Sequence, residues 1–224
     1  MNIPRNWLHQ GMSYMDSGEL SVRILLELVQ ILFLALLLNW LFLDWAPALS
    51  LLVSFFVVHT WNWITNNLFW SIMIFTFPGM RNPGAYSTLD YLGKMRHRLS
   101  RWQCISGLAL YGSLVRGKWH ERSDIDIRLL RRPGIFCLFV AAAVTMGERF
   151  RAFLTGQPMD MFLADDVDFL RKMSPDEKPF FLICRDDRLQ SLYCDVRSSH
   201  LTINDFLGDK VDQSSEIKDQ GSEV

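Results

Sequence analysis

The sequence predicts an α+β domain carried behind a two-helix transmembrane hairpin, and three observations predict it. Large apolar side chains crowd residues 24–77, where the only charges are Glu27 and Asp44. Beyond residue 104, short apolar runs alternate with one longer run at helical spacing, and Gly or Pro bounds each. Between two of those short runs lies "YGSLVRGKWHERSDIDI" (111–127), which puts Gly-Ser behind one run and two aspartates at the start of the next.

Length and charge set the frame. The chain has 224 residues, enough for one ordinary domain and an appendage. Its 23 Lys+Arg nearly cancel 24 Asp+Glu, so it carries no global nucleic-acid signal.

Residues 1–21 read as a short polar or interfacial lead-in. Leu28 to Leu43 has no charge, and extending the helix back to Val22 gives about 20 residues, the length that crosses a bilayer. Asp44-Trp45-Ala46-Pro47 breaks the pattern. The second run, Ala48–Phe77, is long enough for a span and an interfacial segment. Trp40, Trp45, Trp61, Trp63 and Trp70 fit the aromatic belts of membrane interfaces. The hairpin thus occupies 22–79, with Pro78-Gly79 at its exit. A cleaved signal peptide is disfavoured by the late start and the second apolar run. A buried soluble hairpin is disfavoured by apolarity without a polar face.

The patch "HTWNWITNN" (59–67) interrupts the second run and is expected at headgroup level, solvated. Placed deeper, its polar groups would bond helix to helix, which leaves oligomerisation open. Arg5 and Arg23 precede the first span; Arg81, Lys94, Arg96, Arg98 and Arg101 follow the second; Asp44 alone marks the turn. That asymmetry predicts both termini and the soluble domain on the cytoplasmic side. Cys104, Cys137, Cys184 and Cys194 are then expected as free thiols, with no C-x-x-C pair for zinc.

Residues 80–204 form the second unit. Asn82-Pro83-Gly84 is a turn, and an amphipathic helix from about Ser87 to Trp102 follows, with Ser87 as its cap. Ile105–Tyr111 reads as a strand, Gly112-Ser113 as the start of a brief helix, and Asp124–Leu130 as a second strand. Ile135–Leu154 reads as a helix whose 14-residue apolar stretch suits a buried core helix better than a third span. Met159–Leu163 makes a third strand. "FFLIC" and "LQSLY", turning at Arg185-Asp186-Asp187, suggest a hairpin. Asp165, Asp166 and Asp168 suit a solvated loop or a helix cap. Residues 205–224 are acidic and poor in aromatics, the composition of a disordered tail.

Chemistry concentrates at 112–126. In a strand, Asp124 and Asp126 share a face, and two like charges held close call for a cation between them. Carboxylates are hard oxygen ligands of the kind Mg²⁺ takes. Asp160, set between apolar residues on the neighbouring strand, is the natural third carboxylate. Gly112-Ser113 offers backbone N–H groups and a hydroxyl to phosphate oxygens. Lys118, His120, Glu121 and Arg122 suit a solvated loop, with Lys118 or Arg122 able to reach phosphate. Arg128 shares the aspartate face and is placed to pair with one of them.

Gly112-Ser113, Arg116-Gly117 and Ser123-Asp124-Ile125-Asp126-Ile127 together resemble the signature of the nucleotidyltransferase-fold superfamily, and especially its minimal members. The resemblance covers roughly residues 105–195 and implies a small mixed β-sheet flanked by helices. It implies that Gly112, Ser113 and Arg116 bind the triphosphate and that Asp124, Asp126 and Asp160 are catalytic, ligating Mg²⁺, with Mn²⁺ as the alternative. The minimal family has no counterpart of the membrane hairpin. The expected protein transfers a nucleoside monophosphate from a nucleoside triphosphate to a hydroxyl and releases pyrophosphate. A lipid-linked compound, a glycan precursor or a protein is its acceptor. The rival expectations are a non-catalytic nucleotide- or partner-binding module and a protein-modifying (AMPylating) transferase of toxin–antitoxin type.

Overall fold

A short helix α1 (Ile3–His9) and a 3-10 turn (Met12–Tyr14) lead into two long apolar helices, α2 (Ser17–Leu41) and α3 (Pro47–Thr65). Helices α4 (Leu68–Thr76) and α5 (Ala85–Leu99) follow, then strands β1 (Ile105–Tyr111) and β2 (Ile125–Arg131). The chain continues through α6 (Ile135–Leu154), β3 (Met159–Ala164), α7 (Val167–Met173), β4 (Phe180–Cys184) and α8 (Asp187–Leu192). The structure, a computed structural model, describes residues 3–42, 46–173 and 179–192. The acidic tail expected over 205–224 lies outside the described residues.

The strands make one mixed sheet in the order β3-β2-β1-β4, with β1 antiparallel to β2 and β4, and β2 parallel to β3. A parallel pair needs a crossover, and α6 supplies it. Alternation divides the sheet into two faces. Leu108, Leu110, Ile127 and Leu129 pack under α5 and α6, against Leu92, Met95 and Ala141. Ala109, Tyr111, Leu130 and Ala164 look the other way, toward Val167, Phe181 and Leu189. The architecture is the α+β domain with a small mixed sheet that the sequence predicts.

At the N-terminus of α2, Asp16 accepts a hydrogen bond from Ser17 N (2.7 Å), so the helix begins five residues before Val22. Pro47 opens α3, where a missing N–H costs nothing. Asn67, at φ 66°, turns the chain from α3 into α4, a conformation asparagine tolerates. Helices α2 and α3 pack as an antiparallel pair, both long and apolar enough to cross a membrane. Polar rungs join them: Ser50 Oγ donates to Asn39 (2.7 Å), Asn62 Nδ2 to Gln30 (3.0 Å), and His59 Nδ1 meets Glu27 (2.6 Å). The patch at 59–67 is therefore not solvated at a headgroup layer: His59, Asn62, Asn66 and Asn67 are buried and bonded.

The base of this pair closes the open edge of β3. An edge strand presents unsatisfied N–H and C=O groups, which folds must cover. Asn67 Nδ2 donates to Gln157 O (2.7 Å) and Met159 O (3.2 Å), and Arg149 Nε to Met161 O (2.7 Å). Leu163 N donates to Glu19 (2.7 Å), and Asp165 N to Asp16 (2.9 Å). Glu19 and Arg149, each 4% exposed, pair with one another as well. The edge backbone and the pair together satisfy both charges, which burial would otherwise make costly.

Other expectations change as well. Residues 112–117 form turns instead of a brief helix, because Gly112 (φ +80°) and Gly117 (φ +64°) leave the helical region. Helix α5 starts at Ala85 behind a turn in which Gly84 N donates to Asn82 Oδ1 (3.2 Å); Ser87 sits inside it and accepts from Gln157. No hairpin follows β4 among the described residues, because Asp186 Oδ1 accepts from Arg188 N (2.9 Å) and starts α8. Helix α6 is not wholly buried: Phe136, Phe139 and Leu154 are exposed. Cys104 and Cys137 form a disulfide rather than two free thiols, with Cα atoms 5.0 Å apart, since Arg132 N bonds Cys104 O (2.8 Å) and brings the start of α6 to the start of β1.

Candidate active site

The site forms where β1 ends and β2 and β3 begin. Parallel register sets Asp126 beside Asp160, and Arg128 beside Phe162 one rung deeper on the same face. Asp124 stands just before β2. One oxygen from each of Asp124, Asp126 and Asp160 lies within 4.8 Å of the others.

Gly112 closes this cluster from β1. A Cβ there would come within 2.1 Å of Asp126 Oδ2, so the close approach and the positive φ both demand glycine. The next residue presents Ser113 Oγ, shielded from solvent and with no hydrogen-bond partner among the described residues. Arg116 is exposed, and its N–H closes the turn onto Gly112 O (3.2 Å). Lys118 is also exposed on that loop.

The loop entering Asp124 is braced by the segment that leaves α4. Asn82 Nδ2 donates to His120 O (2.8 Å) and Ser123 O (3.0 Å), and Asn82 N to Glu121 O (2.7 Å). Arg122 reaches the end of α4, donating to Ile74 O (3.0 Å) and Phe75 O (2.7 Å), where a cation meets the negative end of the helix dipole. The loop is solvated as expected, with Lys118, His120 and Glu121 exposed, and it is also tied.

Electrostatics follow from crowding. Burial, then the charges of Asp126 and Asp160, push the Asp124 carboxyl up to about 7. Burial also raises Asp160, against Arg128 and a hydrogen bond donated by Ser71 Oγ (3.1 Å). Arg128 shares the face of Asp126 and Asp160. It donates to Ile127 O (2.7 Å) and Asp160 O (3.3 Å) and lies 4.8 Å over the Phe162 ring. Its positive charge still falls on Asp126 and Asp160.

A divalent cation fits these residues. Three hard-oxygen donors converge, and a cation would offset the crowding of charge that, with burial, raises Asp124. Ser71 and Asn82 were not legible as parts of the site. Ser71 is a lone polar residue in "LFWSIMIF", and that break in apolarity was the only signal.

Among known families, a model described as a nucleotidyltransferase domain matches residues 92–134. The matched stretch holds the second half of α5, β1, the Gly112-Ser113 turn and β2, and it stops short of Asp160. No curated protein matches the chain. The match supports nucleotidyl transfer as the general activity, with a nucleoside triphosphate as substrate, and such domains typically use divalent metals.

Proposed function

We propose that the protein is a membrane-anchored nucleotidyltransferase that moves a nucleoside monophosphate from a nucleoside triphosphate to a hydroxyl. The observation that carries this reading is the convergence of Asp124, Asp126 and Asp160 within 4.8 Å. Gly112 N–H and Ser113 Oγ hold triphosphate oxygens, and Arg116 adds positive charge at the same turn. Asp124, Asp126 and Asp160 hold Mg²⁺ or Mn²⁺. When bound, the cation neutralises triphosphate charge and lowers the barrier to in-line displacement. Asp160, whose basicity burial raises, accepts the proton of the acceptor hydroxyl. The freed oxygen bonds to the α-phosphorus, the bond to the bridging oxygen breaks, and pyrophosphate leaves.

The acceptor is a hydroxyl compound held at the membrane, either lipid-linked or a glycan precursor. Ser71 supports this: it belongs to the short helix that follows the second apolar helix, and it touches Asp160. The functional units are the lead-in (1–21), the hairpin (22–79), the nucleotidyltransferase-like domain (80–204) and the tail (205–224). The basic residues flanking the hairpin support a cytoplasmic domain. One observation favours a rival: Arg128, buried beside Asp126 and Asp160, partly neutralises them and suits a module that binds nucleotide without turnover.

The test uses membranes carrying the wild-type chain or an Asp124→Asn/Asp126→Asn double variant. Each is incubated with α-labelled ATP, CTP, GTP or UTP and Mg²⁺, and protein, lipid and soluble fractions are separated. Label in the lipid fraction that vanishes in the variant establishes transfer and the acceptor class. Label in a protein band means protein modification. Nucleotide binding without label leaves the binding module.

A further inference from the structure

We propose that α6 is a second membrane-contacting element, whose outward apolar stripe lies in the bilayer interface beside the hairpin. This rests on the membrane reading of α2 and α3. On α6, Phe136, Phe139, Ala143, Gly147, Phe150 and Leu154 follow one another at steps of three and four, and all six are exposed. The exposures are large: 73% for Phe136, 48% for Phe139, 39% for Phe150 and 66% for Leu154. Such spacing gathers them on one side of the helix. The sheet side is separate, made by Ala141, Thr145, Glu148 and Ala152, all buried. A contiguous apolar stripe of this kind marks contact with a partner or a membrane, whereas single exposed apolar residues do not.

The two flanks of the stripe identify the occupant. On one flank, Ala142, Met146 and Arg149 meet Glu19, Val22 and Arg23 of α2. Just beyond that contact α2 exposes Leu25 (51%) and Val29 (55%), so the apolar surfaces of α2 and α6 adjoin. On the other flank lies a groove of about 670 Å³, where Arg101, Trp102 and Arg151 stand beside Val140 and Val144. An apolar stripe bordered by arginines and an exposed tryptophan is the composition of a helix lying in the interface, its cations among anionic headgroups. A protein partner would not require its surface to run on into that of a bilayer-crossing helix.

The test places a photoreactive benzoylphenylalanine at Phe139 or Phe150 in the full chain, reconstituted in vesicles of phosphatidylcholine and phosphatidylglycerol. Leu32, on the exposed face of α2, serves as the lipid reference, and Asp90, exposed on α5, as the aqueous one. Phospholipid-mass adducts at both α6 positions, roughly tenfold above Asp90 and comparable with Leu32, are expected. Adducts to a second copy of the chain, or none while Leu32 labels lipid, would overturn the inference alone. Absence of lipid adducts at Leu32 as well would overturn the membrane reading, and the inference with it.

Discussion

At the scale of single residues, Gly112 is the tightest constraint in the site. Its missing side chain lets Asp126 approach, and its φ of +80° excludes other residues without strain. Gly112→Ala is expected to cut nucleotidyl transfer by on the order of a hundredfold, through a displaced Asp126, about 3 kcal/mol of barrier. Single-turnover pyrophosphate release checks it. Asp124 makes a pH prediction. Its carboxyl is raised from 3.8 to about 7, so between those values the folded protein holds a proton that the unfolded chain has released. Metal-free protein is therefore most stable at the acid end and loses stability as pH rises through that window, levelling above about 7. Mg²⁺ affinity climbs through the same window, because binding displaces that proton. Asp124→Asn should flatten the first profile and weaken Mg²⁺ binding, read by thermal unfolding with chelator and by metal titration. The aspartates were legible because a carboxylate inside an apolar strand is costly without a purpose. Ser71 was not, since its contact with Asp160 spans 89 residues and depends on how α4 meets β3.

At the scale of elements, β1 and α6 begin and end where alternation, helical spacing and the Gly and Pro boundaries put them. The misreadings have local causes. Gly112 and Gly117 forbid the helix after β1, and one Asp186 side chain turned an expected strand into α8. Glu19 of α2 and Arg149 of α6, buried charges, are partners of the β3 edge. Glu19→Ala should cost about 3–5 kcal/mol, because Arg149 is left buried without its carboxylate and Leu163 N loses its acceptor. Denaturant unfolding in detergent should show this loss, and Glu19→Gln, which keeps the acceptor, should cost less. Equal losses for the two variants would assign the whole cost to the missing negative charge, because glutamine keeps the shape and an acceptor.

At the scale of the whole molecule, orientation and thiol chemistry meet. The proposed orientation, argued from the basic residues after α4, sets the domain in the cytoplasm, where thiol pools keep cysteines reduced. The Cys104–Cys137 bond belongs to an oxidising setting. Alkylation of intact cells with a membrane-permeant maleimide, read by peptide mass, is expected to spare Cys104 and Cys137 until a reductant is added. Modification of both without reduction would show that the bond does not form in cells, the outcome that a cytoplasmic side requires. Nothing in the sequence pairs these two thiols, because 33 residues separate them and only the β1–β2 register brings them together.

The covered edge of β3 also bears on modularity. Strand groups completed by Asp16, Glu19 and Asn67 cannot be completed by an arbitrary anchor. The helix pair and the sheet domain therefore do not behave as interchangeable modules: grafting a different helix pair onto the same sheet would leave a bare strand seeking company in other chains. A change at residue 19 or 67 therefore strips backbone groups of β3, in the other half, of their partners.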